Sequence, residues 1–263
     1  MEIIITSDYE DMSRVSAEYI AREIKNKHDL VLGLATGDTP IGTYKHLINL
    51  HNEEGLDFSK VKSFNLDEYV GLAPLHVNSY NYFMRENFFK HVNINQENVF
   101  VPQGHIDDPE QFSFWYESQI QKAGGIDLQV LGIGRDGHIG FNEPGSSFAS
   151  RTRVKALYKQ TIEDNARFFN HIDEVPRFAV TMGIGTILES RKILLIANGR
   201  SKADVVAQFI EGPVTSQVTA SALQLHCYAT VILDEDAASK LTRKEYYNWV
   251  RDNKHMVQKR VGR

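Results

Sequence analysis

Short apolar runs alternate along the chain with longer polar stretches in which apolar residues recur every three or four positions. Glu2 to Thr6, Leu30 to Ala35, Ile126 to Leu131, Lys192 to Ala197 and Ala229 to Leu233 have the apolar character of buried strands, and Val61 to Leu66 reads as a further strand. Val99 to Pro102 and Phe178 to Met182 are shorter versions of the same pattern. Between them, Asp8 to Asn26 carries Met12, Val15, Tyr19, Ile20 and Ile24 at helical spacing. Thr39 reads as an N-cap with Pro40 in the first turn of a helix that runs to Gly55. Asn78 or Ser79 caps a helix through Phe88, and Asp108-Pro109 opens another whose Phe112, Trp115, Tyr116 and Ile120 read as core. Helices are also expected over Thr161 to Phe169, Gly183 to Ser190, after a Ser201 cap, and over Lys244 to Gln258. Strands alternating with helices predict an α/β fold: a doubly wound, mainly parallel sheet with helices on both faces, in a single domain spanning 1–263.

Composition narrows the function more than the fold. A formal net charge of -5 argues against nucleic acid as a general partner. The single Cys227 cannot form an internal disulfide and fits a reducing, cytoplasmic setting. Met1-Glu-Ile-Ile-Ile-Thr has no basic region before its apolar run, so no signal peptide is expected. No run is long enough to predict a membrane span, so no membrane partner is expected either.

Right-handed crossovers bring the loops after parallel strands to one edge of the sheet, where α/β proteins bind ligands. One such loop is Leu131-Gly-Ile-Gly-Arg-Asp-Gly-His-Ile-Gly-Phe-Asn-Glu-Pro144. Its glycines permit sharp turns and close approach. Asp136 and Glu143 near His138 would fix the imidazole and favour its charged form. Asp67 stands at the end of another strand, with Glu68 beside it. Thr36-Gly37-Asp38-Thr39, between a strand and a helix start, reads as an anion cradle, although it lacks the Gly-Lys-Ser/Thr ending of a Walker loop. Lys202 at the start of a helix opposes the helix dipole, which suggests that it faces an anion, and Arg167 would add a second cation. Arg151, Arg153 and Lys155 alternate, giving one basic face if that segment is extended. The array suits proton transfer on a small phosphorylated metabolite. A metal hydrolase built on Asp136, His138 and Glu143 ranks low, because no second histidine stands at ligand spacing.

The chain resembles the glucosamine-6-phosphate deaminases, also called glucosamine-6-phosphate isomerases. The resemblance lies in Gly33-Leu-Ala-Thr-Gly-Asp-Thr-Pro40, Phe64-Asn-Leu-Asp-Glu-Tyr-Val-Gly71, the 132–144 loop, Ser147 to Arg153, Asn165-Ala-Arg-Phe-Phe169 and Leu223-Gln-Leu-His226. It implies a Rossmann-like fold and conversion of glucosamine 6-phosphate and water to fructose 6-phosphate and ammonia, with no cofactor and no metal. By the same resemblance, Asp67, Asp136, His138 and Glu143 are catalytic. Thr36, Gly37, Asp38, Thr39, Arg167 and Lys202 bind substrate. Asp38 departs from the glycine or serine common in the family. The rival 6-phosphogluconolactonases typically have Asp-Glu-Arg where this chain has Asp67-Glu68-Tyr69, and they lack Phe141-Asn-Glu-Pro144. A sugar-phosphate sensor would need a DNA-binding module, and none is recognisable before Leu30 or after Leu233. Some members of the family are hexamers activated between subunits, so a homo-oligomer is within expectation. Ser146, Arg153 and Lys155 match that activator site while Ala156 departs from it, so weak or no activation is expected.

Overall fold

The computed structural model describes residues 1–261, with side chains through Lys254. Seven parallel strands form the central sheet in the order β1-β10-β9-β6-β2-β3-β5. They are β1 (Glu2–Thr6), β2 (Val31–Leu34), β3 (Lys62–Asn65), β5 (Val99–Phe100), β6 (Leu128–Leu131), β9 (Lys192–Ala197) and β10 (Ala229–Asp234). A second, antiparallel sheet has the order β4-β8-β7, from β4 (Asp67–Tyr69), β7 (Arg153–Ala156) and β8 (Phe178–Thr181). The helices are α1 (Tyr9–Asn26), α2 (Thr39–Glu54), α3 (Tyr80–Asn87), α4 (Pro109–Lys122), α5 (Lys159–Asn165), α6 (Ile184–Leu188), α7 (Ala203–Glu211) and α8 (Lys244–Val261).

The continuous apolar strands are explained by burial on both faces. Leu32, Leu34, Leu194 and Ile196 pack on Met12 and Ile20 of α1 and Tyr44 and Leu47 of α2. Their neighbours Ile193, Leu195, Val231 and Leu233 pack on the opposite layer, with Tyr116 and Ile120 of α4 and Val205 and Phe209 of α7. The chain enters at the edge, crosses to β2, runs outward through β3 and β5, then returns beside β2 as β6. The strand order therefore reverses between β2 and β6, and such a reversal opens a crevice at the carboxyl ends of the strands.

The expected doubly wound α/β fold is the one observed, with five local departures. Asp67 to Tyr69 does not merely follow a strand but forms β4. Leu66 links the two sheets: its N–H donates to Leu34 O at 3.1 Å, and its carbonyl accepts from Met182 N at 2.7 Å. Phe178 to Met182, expected as one more strand of the main sheet, supplies β8 of the small one. Thr39 is the first helical residue rather than the cap of α2, and Ser201 caps nothing, because residues 200–202 form a single 3-10 turn leading into α7. Trp115, read as core, is 43% exposed, whereas Tyr116 and Ile120 are buried. A helix of 14 residues here has only a narrow stripe against the sheet, and Trp115 falls outside it. Ser79 is the cap of α3, accepting from Tyr82 N at 3.0 Å. Among the described residues no helix is long and apolar enough to cross a membrane.

Candidate active site

A cleft of about 710 Å³ opens over the carboxyl ends of β9, β6, β2 and β3. Thr36, Gly37, Asp38, Thr39, Asp67, His138, Arg167 and Lys202 all line it. Asp136 and Glu143 stand behind His138: its Nδ1 lies 2.7 Å from Asp136 Oδ1 and 3.6 Å from Glu143 Oε2. All ten residues expected from the sequence thus gather in and around one cleft.

The loop after β6 reaches this geometry through its glycines. Gly134 N–H donates to His138 O at 2.9 Å and Gly137 N–H to Gly134 O at 3.1 Å, with Gly137 at φ +89°. A Cβ on Gly134 would sit 2.4 to 2.6 Å from three atoms of the His138 ring. Gly140, at φ +56°, would bring a Cβ to 3.3 Å from Asp67 Oδ2, so the loop passes directly beside that carboxylate. His138 N–H donates to Asp136 Oδ1 at 3.1 Å, and Tyr158 N–H donates to Glu143 Oε1 at 3.0 Å. Burial works against the imidazolium, but the hydrogen bond and charge of Asp136, with the charge of Glu143, outweigh it and raise the His138 pKa. Burial likewise opposes ionisation of Asp136, yet His138 holds its pKa below the ordinary value. Asp136 Oδ2 and Glu143 Oε2 are buried without a hydrogen-bond partner. Orphaned acceptors of this kind are uncommon and concentrate where function needs them. Each of the three residues offers one atom within 4.8 Å of the others, a spacing a small cation could bridge. Mutual charge compensation between imidazolium and carboxylates accounts for the same cluster.

Asp67 is buried on the cleft side of β4. Its pKa is raised to about 8, first by loss of water and then by the Glu68 charge, with His138 opposing. Glu68 is not solvated either. It is buried and accepts from the backbone N–H of Tyr69 (2.9 Å), Tyr80 (3.0 Å) and Asn81 (2.9 Å), which ties β4 to the start of α3. Burial raises its pKa to about 7 against those three donors. Tyr69 packs with Phe141, Leu157 and Ile162 in a small core under the second sheet. An arginine at that position would bury an unpaired charge.

At the other end of the cleft, Lys202 Nζ donates to Ile133 O at 2.8 Å. Burial lowers its pKa, against the attraction of Asp164 and Asp136. Arg167 lies on a 3-10 turn after α5, stacked 4.5 Å over the Phe168 ring. Its Nη2 is 2.5 Å from Asp38 Oδ2. Thr39 Oγ1 donates to Asn198 Oδ1 at 2.7 Å, so its one hydroxyl proton is engaged there. The loop 198–202 is braced from β10, because Asp234 accepts from Gly199 N at 2.9 Å and Ala237 N at 2.7 Å.

Sequence reasoning missed Tyr80, Phe141 and Asn198, which also line the cleft, and Arg135 and Asp164, which pair across its rim at 3.0 Å. Asn198 was recognisable as the first residue of a strand-to-helix turn. Tyr80 carries no such signal, since the contact depends on how α3 folds back over β4.

A family model described as glucosamine-6-phosphate isomerases/6-phosphogluconolactonase matches residues 7–232. A glucosamine-6-phosphate deaminase of Thermoanaerobacter sp. (strain X514) is 52% identical over 239 residues, covering 91% of this chain and 94% of that protein. A solved structure described as a monomeric glucosamine-6-phosphate deaminase superposes with a TM-score of 0.90 at 48% identity, over 91% of this chain and all of that one. The 6-phosphogluconolactonase of Trypanosoma brucei shares the fold, with a TM-score of 0.70 at 20% identity over 92% of this chain and 98% of that one. The chain belongs to the glucosamine-6-phosphate isomerase/6-phosphogluconolactonase family. Within it, the chain lies on the deaminase side, as the motifs at 64–71 and 132–144 led one to expect.

Two outcomes follow from this geometry. Gly134→Ala drives a methyl into the His138 ring, and steady-state kinetics should show kcat falling on the order of a hundredfold while the fold persists. An unchanged kcat would mean that the ring is not held where it acts. The second concerns Asp67. A carboxyl whose folded pKa is raised keeps its proton while the unfolded chain loses it, so the native state binds more protons and its stability falls between the unfolded value and about 8. Asp67→Asn should therefore raise Tm by several degrees near about pH 8.5 and leave it almost unchanged near about pH 4. An equal shift at both pH values would refute the buried-charge assignment.

Proposed function

We propose that this protein converts glucosamine 6-phosphate and water into fructose 6-phosphate and ammonia, a hydrolytic deamination in amino-sugar breakdown. The observation that carries the reading is a buried base and a charge-compensated imidazole facing one cleft that has cations at its far end. In this reading the phosphate lies against the N–H groups of Thr36 to Thr39, with Lys202 and Arg167 beside it. Charge-assisted hydrogen bonds to such an anion contribute roughly 1.5–3 kcal/mol each. That suffices to hold a small polar sugar and aim its other end at Asp67 and His138.

His138 moves a proton at the ring oxygen as the pyranose opens. Asp136 and Glu143 favour its charged form and fix the ring. Asp67 takes the proton from C2 of the open aldose, giving an enolamine, and returns it to C1. The resulting ketose imine adds water at C2 and releases ammonia, so the nitrogen leaves with the proton count balanced. A base with a pKa near the working pH is suited to removing such a carbon-bound proton and giving it back. The isomerisation is a shuttle between adjacent carbons and runs on proximity alone, without a metal or organic cofactor. Every residue in this scheme comes from one chain, so the site is complete in a single copy whether or not copies associate. A phosphorylated substrate fits a cytoplasmic location.

Lactone hydrolysis is the weaker reading. It leaves the C2-directed base at Asp67 without a task, and Tyr69 fills the position of the arginine that resemblance assigns to lactonases. The direct test is to incubate the purified protein with each substrate. Ammonia and fructose 6-phosphate should form from glucosamine 6-phosphate, also after exhaustive chelation, while 6-phosphogluconolactone is hydrolysed at background rate. Lactone hydrolysis without ammonia release would overturn the proposal.

A further inference from the structure

Asp38 stands immediately before the first residue of α2, where an aspartate ordinarily turns its carboxylate onto the free N–H groups of the helix. It makes no such bond here. Its backbone is helical, with φ -70° and ψ -37°, and its carboxylate reaches across the cleft to Arg167 at 2.5 Å. Pro40 has no N–H, Ile41 N–H reaches the Asp38 carbonyl at 3.3 Å and Gly42 N–H the Tyr9 hydroxyl at 2.8 Å, so the carboxylate is free to pair with Arg167. A second pair, Arg135 with Asp164, spans the same rim at 3.0 Å. The segment carrying α5 and Arg167 is held by Ile162, Ala166 and Phe169 in the small core under the second sheet, and the two exposed ion pairs lie at its edge over the mouth of the cleft. Lys202, by contrast, has no carboxylate within ion-pair distance among the described residues, its Nζ resting on the Ile133 carbonyl.

We propose that Asp38 is an internal competitor for the incoming phosphate: its carboxylate pairs with Arg167 and must be displaced before the anion can take that guanidinium. The proposal rests on the reading that the phosphate lies at this end. Asp38 then sets how tightly phosphorylated ligands are held, working against both capture and retention of product. The carboxylate is exposed and holds nothing else in place, while the residue's carbonyl keeps its bond from the Tyr9 hydroxyl at 3.1 Å. Removing the charge therefore leaves the loop intact.

Exposed ion pairs are weak, so a modest effect is expected. Binding of inorganic phosphate is measured by calorimetry for the full chain, Asp38→Asn, Arg167→Gln and the double variant. Asp38→Asn should bind phosphate roughly two- to fivefold more tightly than the parent. The gain should shrink in high salt and vanish when Arg167 is already Gln. Asp38→Ser serves as a second variant with a different shape and should show the same gain. If the parent binds phosphate and neither variant at Asp38 binds it more tightly, the competitor proposal falls alone. A gain that persists undiminished without Arg167 also overturns it. If no form binds phosphate, the placement of the phosphate end falls as well.

Discussion

A carboxylate kept out of water at the junction of two sheets is the feature from which the rest of this site follows. Asp67 is the first residue of β4, separated by Leu66 alone from the strand that ends at Asn65. That single residue moves the chain from the parallel sheet into the antiparallel one, and it bonds to both. The side chain is buried at that junction, at the wall of the cleft. Desolvation then raises its pKa to about 8, and the buried Glu68 next to it adds to the effect. An acid in that state is a poor ornament for stability and a good proton carrier.

The remaining groups complement that constraint. The 132–144 loop has four glycines, one of which must be glycine to leave room for the His138 ring and another of which passes within contact of Asp67. The imidazole is therefore fixed relative to the carboxylate by backbone rather than by a flexible side chain. Asn142 extends the same rigidity, donating to Ile139 O (2.9 Å) and Met182 O (2.8 Å) and accepting from Arg153 (2.9 Å). The opposite end of the cleft is built differently. Arg167 and Asp38 are exposed there and paired to each other, whereas the His138 end is held by backbone.

Much of this was readable in the chain because it depends on local patterns. Buried parallel strands announce themselves as apolar runs, and loops following them share one edge by handedness. That logic located Asp67, His138 and Lys202 in one cleft. It failed where side chains answer to partners far along the chain. Thr39 looks like a cap in isolation, but Asn198, 159 residues away, takes its hydroxyl. Asp38 reads as part of the anion cradle, and its carboxylate meets Arg167, 129 residues on. The antiparallel sheet was invisible because its strands have three or four residues each, and β4 pairs with β8 across more than a hundred positions. Trp115 shows the complementary error, an aromatic counted as core from type and not from angle.

The central claim is that Asp67 carries one proton between adjacent carbons of the substrate. The most direct measurement is the position of deuterium in fructose 6-phosphate formed from glucosamine 6-phosphate in heavy water, read by nuclear magnetic resonance for the parent and for Asp67→Asn. The account predicts mainly protium at C1 for the parent, any deuterium there entering in a single stereochemical position, and neither product nor exchange at C2 of recovered substrate for the variant. Solvent exchange at C2 proceeding at the parental rate in Asp67→Asn would contradict it.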